Sequence, residues 1–234
     1  MNAQTSSPRQ NRVDPWSHVI ATRERGLLMG NRGCLHNAAG HIVRDYQVAR
    51  WIICVLQFRG RKRVVMQPGH YTELFFLDEA TALAAGHRPC AECQRARYKL
   101  FLAFWAKTQR VDPSVGDPGA QLRARDIDAA LHTARWADGH KVTYPARLGD
   151  LPNGAMVAAS VADGDRKRDG AAATPYLVWQ GQLWRWHFAG YTAGPGWHAE
   201  TIMHVLTPRP TVQILAAGYP VQVHPSLGAI LVPH

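Results

Sequence analysis

Pro89-Cys-Ala-Glu-Cys93 constrains this chain more than any other stretch. Two cysteines three apart, behind a proline that halts the preceding segment, present both sulfurs on one side of a turn. The helix they are expected to open stabilises thiolates at its N-terminus. That is half of a tetrahedral zinc site. The preceding residues set the turn up: Leu74 to Leu77 reads as a short apolar strand, Asp78 as a helix cap and Gly86 as the stop of the Ala-rich helix between them.

A structural zinc site takes four ligands, and the chain holds only two further cysteines, Cys34 and Cys54. Cys34 and His36 stand in Gly30-Asn-Arg-Gly-Cys-Leu-His-Asn37, a polar turn that can present both side chains from one loop. The expected set is therefore Cys34, His36, Cys90 and Cys93. Cys54 falls in the apolar β-type run Trp51–Phe58 and reads as a small core hydrophobe first and as a replacement ligand second. A bare dithiol is the remaining reading of Cys90 and Cys93.

Glu79-Ala-x-x-Leu-Ala-Ala-Gly-His-Arg-Pro-Cys-Ala-Glu-Cys93, within residues 71–98, resembles the second half of the zinc-binding N-terminal domain of the bacterial adaptive-response DNA-repair protein Ada. The resemblance implies a zinc-binding fold in which the last two cysteines are ligands. In that family two earlier cysteines complete the site, and one accepts a methyl group from a DNA phosphotriester. This chain departs from the pattern in two places. Gly60 to Gly69 contains no cysteine where the first pair should fall, and Ala91 and Glu92 stand between the cysteines where basic residues are usual. Cys34 is the only acceptor left if alkyl transfer occurs, and a histidine ligand beside it would make its thiolate less reactive. Zinc and a role near nucleic acid, DNA first, are what the resemblance carries over.

The whole chain agrees with an acidic partner. Its 234 residues carry a formal charge of +10, and nine Lys/Arg against Glu24 and Asp45 fall between Arg23 and Arg63. Arg59, Arg61, Lys62, Arg63, Arg95 and Arg97 are the candidate phosphate contacts. The run Trp51–Phe58 is expected to pair with Val64–Met66 as a hairpin with the bases at its tip. No secretory or membrane-spanning run is evident, and four cysteines suit a reducing cytoplasm. A zinc deaminase, whose signature also ends in Pro-Cys-x-x-Cys, is a further alternative, but His70-Tyr-Thr-Glu73 has one residue too many for its other half.

The expected fold class is α+β, with a disordered arm over 1–13, an Ada-like zinc domain over 14–110, a linker and helix over 111–135 and a small β-rich barrel or sandwich over 136–234. Asp14-Pro-Trp16 reads as a short helix start, and Tyr98, Phe101 and Trp105 as the core face of a helix after Cys93. Asp128 and His132 are four apart on the next helix and read as a surface hydrogen bond. Tyr176–Trp179, Gln180-Gly-Gln182 and Leu183–His187 form a hairpin pattern that sends Trp184 and Trp186 to one face and Arg185 to the other. Pro208 to Gly218 reads as a short helix stopped by glycine. His198-Ala-Glu-Thr-Ile-Met-His204 fits no defensible ligand spacing.

Overall fold

The computed structural model describes residues 7–62, 64–109, 123–159 and 173–230. Arg63, the Asp-Pro linker and the mixed-charge insertion at 163–170 lie outside these residues. The fold is mixed α+β. Its first sheet is built from β1 (Gln10–Val13), β2 (Val19–Ala21), β3 (Leu28–Asn31), β4 (Ile52–Cys54) and β5 (Leu74–Phe76), followed by α1 (Glu79–Ala84) and β6 (Arg88–Pro89). The six strands lie in the order β2-β1-β5-β3-β4-β6.

Two helices follow, α2 (Arg95–Thr108) and α3 (Ala124–Arg135), then the two-residue strands β7 (Trp136–Ala137) and β8 (His140–Lys141). The second sheet contains β9 (Tyr144–Arg147), β10 (Met156–Ala158), β11 (Pro175–Trp179), β12 (Gln182–His187), β13 (Gly190–Ala193) and β14 (Ile202–Val205). They pair antiparallel throughout, in the order β13-β12-β11-β10-β14-β9. The last two helices are α4 (Arg209–Ala216) and α5 (Ser226–Ile230).

Helix α1 joins the two halves. Its Ala82 and Leu83 enter a core with Val13, Ile53, Leu74, Phe76, Phe101 and Trp105, to which Ile214, Leu215 and Tyr219 also belong. Its Ala80 and Ala84 face a second core with Leu177, Trp184, Trp186 and Tyr191. A six-residue helix made largely of alanine is thin enough for both sheets to close on it. Asp78 caps it by accepting from the Thr81 backbone N–H at 2.8 Å. Asp78 also accepts from the Tyr191 hydroxyl at 2.8 Å and the His224 N–H at 2.9 Å, so the cap ties the C-terminal segment down.

The other end of α1 is closed by cations. Lys141 Nζ donates to Ala84 O at 2.6 Å, Ser17 Oγ to Ala85 O at 2.8 Å and Arg135 Nη1 to Gly86 O at 2.7 Å. These are the carbonyls a helix leaves unpaired, at the end where its dipole favours positive charge. Gly86 is required there twice over. Its φ of +85° is left-handed, and a Cβ would stand 2.4 Å from Arg135 Cδ. Trp51 lies inside this cation group, fully buried, with the guanidiniums of Arg32 and Arg135 at 4.5 and 4.1 Å from its ring.

Several local expectations are met: the β5-cap-α1-Gly86 sequence, the burial of Phe101 and Trp105 on α2, and the β11–β12 hairpin. Gln180 and Gly181 there take φ of 52° and 70°, the handedness a two-residue hairpin needs. In the alternating strand β12, Trp184 and Trp186 are buried and Arg185 is exposed, so the tryptophans are core. Others are corrected. Residues 10–13 are not part of an arm, because β1 pairs with β2 and β5 and buries Val13 completely. Asp14 to Ser17 is the turn between β1 and β2, closed by Ser17 N–H donating to Asp14 O at 3.0 Å, and not a helix start. The run from Trp51 yields only β4, which pairs with β3 and β6 instead of with Val64–Met66.

Candidate metal centre

The register of β4 against β6 decides which cysteines meet. Ile52 lies opposite Arg88 and Ile53 opposite Pro89 in a parallel pair, so Cys54 and Cys90 are the next residues on neighbouring strands. Cys90 N–H donates to Ile53 O at 2.9 Å and Gln94 Nε2 to the same oxygen at 3.0 Å, which fixes the turn to the strand. Alternation along β4 points Ile53 into the main core and Cys54 to the opposite face. Cys93 comes back toward them through the turn of residues 91–94, so the two cysteines lie on a turn before the helix and not on its first turn, and α2 begins only at Arg95.

The sulfurs of Cys54, Cys90 and Cys93 all lie within 4.8 Å of one another. Thiolates around a tetrahedral zinc, each about 2.3 Å from the ion, stand roughly 3.8 Å apart, so a small closure would seat a metal. Among the described residues no other cysteine, histidine or carboxylate joins this group. Its walls are apolar: Met29 pairs across the strands with Cys54, and Ile52 and Phe75 pack beside it.

The three thiols are not equivalent. A hydrogen bond from the Cys54 thiol holds the Cys90 thiol down at about 5, against burial that pushes it up, with the backbone N–H groups of Cys93 and Glu92 assisting. The Glu92 N–H stands 3.4 Å from Cys90 Sγ. Cys54 is raised correspondingly, by that same hydrogen bond to Cys90 and then by burial. Burial is the main influence raising Cys93. Cys90 is thus the thiol most readily deprotonated, inside a set of soft sulfur donors suited to a thiophilic ion such as zinc.

Arg88 locks the turn from behind. Its Nε and Nη2 each donate to Asp128 at 2.8 Å in a buried bidentate pair, and its Nη1 donates to Pro89 O at 3.0 Å. Asp128 is therefore bound to the dithiol turn and not to His132, whose ring packs edge-on against Tyr46 at 4.8 Å. Nothing in the spacing of α3 distinguishes this partner from a surface one.

The expected ligands Cys34 and His36 are elsewhere. Cys34 Sγ is 3.5 Å from His36 O, and its N–H donates to Gln47 Oε1 at 2.8 Å. The His36 ring is held by the Thr72 hydroxyl at 2.6 Å through Nδ1 and by Gln67 O at 3.3 Å through Nε2. Both groups stabilise the loop after β3. Glu73 of the deaminase-like pattern accepts the Met66 N–H at 2.7 Å and is also outside the cluster.

The candidate phosphate contacts divide. Arg97 is committed to Glu79 and to Pro220 O, under the ring of Tyr219. Arg61 pairs with Glu92 at 2.7 Å on the surface beside the dithiol turn. Arg59 stacks on Phe58 at 5.0 Å and is exposed, as are Lys62 and Arg95. Comparison of the chain with family models, curated proteins and solved structures finds no match.

Proposed function

We propose that Cys54, Cys90 and Cys93 bind one zinc ion with a structural role, and that the protein acts on or is bound to nucleic acid, DNA first. The three clustered sulfurs carry the reading. The ion would pin the edge of the first sheet to the start of α2, where a short β6, two hydrogen bonds to Ile53 O and one buried ion pair hold the turn. It would supply charge neutralisation for the thiolates and a fixed geometry for the turn. Three protein ligands leave one tetrahedral position for water or for a group from a partner.

A basic chain with exposed Arg59, Lys62 and Arg95 near this centre fits an anionic polymer. A reducing compartment, the cytoplasm, would keep the thiols available to the metal. Alkyl transfer ranks below binding, because the acceptor expected for it, Cys34, stands apart from the sulfur cluster. Metal analysis of the purified protein together with a salt series of DNA binding tests the proposal. It expects about one zinc per chain and an affinity that falls steeply with salt. A metal-free, folded protein, or binding indifferent to salt, contradicts it.

A further inference from the structure

A second feature lies on the same face of the first sheet. Reading across the register, Arg12 of β1 lies beside Phe75, Phe75 beside Met29, and Met29 beside Cys54. The face opposite the main core is thus one continuous row that begins with a guanidinium and ends at the metal candidate. At its Arg12 end it opens into a groove of about 750 Å³, whose walls include Arg9, Asn11, Arg12, Thr22, Arg23 and Phe75. Among the described residues no carboxylate lines it.

The wall is built to present donors. Asn11 is 1% exposed, and its carbonyl oxygen takes Arg12 Nη1, which leaves Nδ2 as a buried donor with no partner. Arg12 is held in place by Nε donating to Glu24 O at 2.7 Å, with its guanidinium 4.8 Å from the centre of the Phe75 ring. Arg9 and Arg23 are exposed on the rim. Three guanidiniums and a hydroxyl call for a ligand rich in anionic oxygen, and a face with Phe75 under Arg12 offers a flat surface to a base.

We propose that this groove binds single-stranded nucleic acid, with the phosphodiester backbone along Arg9, Arg12 and Arg23 and a base against the Phe75 side. The inference rests on the nucleic-acid reading above and names the strand and the surface. A concave site of this size admits a strand, whereas a duplex would touch only its rim.

The test uses the full chain and a fluorescent 20-nucleotide oligothymidylate, measured by anisotropy from low to physiological salt. Arg9→Glu/Arg23→Glu changes two exposed rim residues and should leave folding and metal content intact. The proposal expects at least about tenfold weaker binding than wild type and a salt slope shallower by about 1.4, two lost contacts on a single strand. Arg185→Glu/Lys107→Glu, an equal charge change at two exposed bases that do not line the groove, should bind within about twofold of wild type. Equal weakening by both double variants, or tighter binding of the matching duplex than of the strand, overturns the groove. Binding that survives at the groove variant but is lost in Arg59→Glu/Lys62→Glu overturns the groove and leaves the nucleic-acid reading standing. No binding by wild type overturns both.

Discussion

His87 shows how much of this fold depends on single buried groups. It is fully buried between Trp51 and Phe76, at ring distances of 5.1 and 4.7 Å. Burial first, and then Arg32 and Arg135, hold its ring far below the ordinary histidine range, so it is neutral in the fold. The unfolded chain takes up a proton near pH 6.5 that the folded chain refuses. Stability therefore falls as pH drops below about 6.5, by up to about 1.4 kcal/mol per pH unit from this group. His87→Phe, which keeps an aromatic ring in an aromatic site, should flatten that fall in urea melts between pH 7.5 and 5.5. Lys141 acts in the same direction at higher pH. Burial pulls its ammonium down to about 7, so stability should climb from pH 7 towards 10, and Lys141→Met should remove the climb. Cys54 was legible as a buried residue first and as a replacement ligand only second, because an apolar strand and a thiophilic site ask for the same neighbours. Its signal was alternation: with Ile53 in the core, Cys54 had to face the other way.

At the level of elements, what could be read locally was read, and what depended on distant pairing was not. Asp78, the alanines and Gly86 specify α1 within nine residues, and the Gln180-Gly181 turn specifies its hairpin. The two-residue β6 has no propensity signature of its own and exists because β4 lies alongside it. The same holds for Arg88 with Asp128, 40 residues apart in the chain. Their pair joins α3 to the dithiol turn, and its two side chains are 2% and 9% exposed. Asp128→Ala leaves a buried guanidinium unpaired and should cost about 3–5 kcal/mol in denaturant melts. Arg88→Met together with Asp128→Leu should recover much of that loss. A loss under about 1 kcal/mol for the single variant would mean the pair does not brace the turn.

At the scale of the molecule, two six-stranded sheets close on one thin helix, and the sulfur cluster stands at the sheet edge farthest from β2. A two-residue strand, the Gln94 bond to Ile53 O, the Arg88 pair and the surface Arg61–Glu92 pair hold that edge, with little apolar burial behind them, so metal removal should loosen it before the rest. Hydrogen exchange after chelation is expected to rise at residues 88–94 and 52–54 while β10 to β12 stay protected. Cobalt(II) reads directly which sulfurs meet, because thiolate-to-cobalt charge-transfer absorption grows with the number of sulfur ligands. Cobalt-loaded wild type, Cys54→Ser and Cys34→Ser/His36→Ala should be compared at equal protein. The account predicts that Cys54→Ser loses about a third or more of the band, or the metal itself, while Cys34→Ser/His36→Ala matches wild type. A full band in Cys54→Ser, or a band lost in Cys34→Ser/His36→Ala, would contradict it.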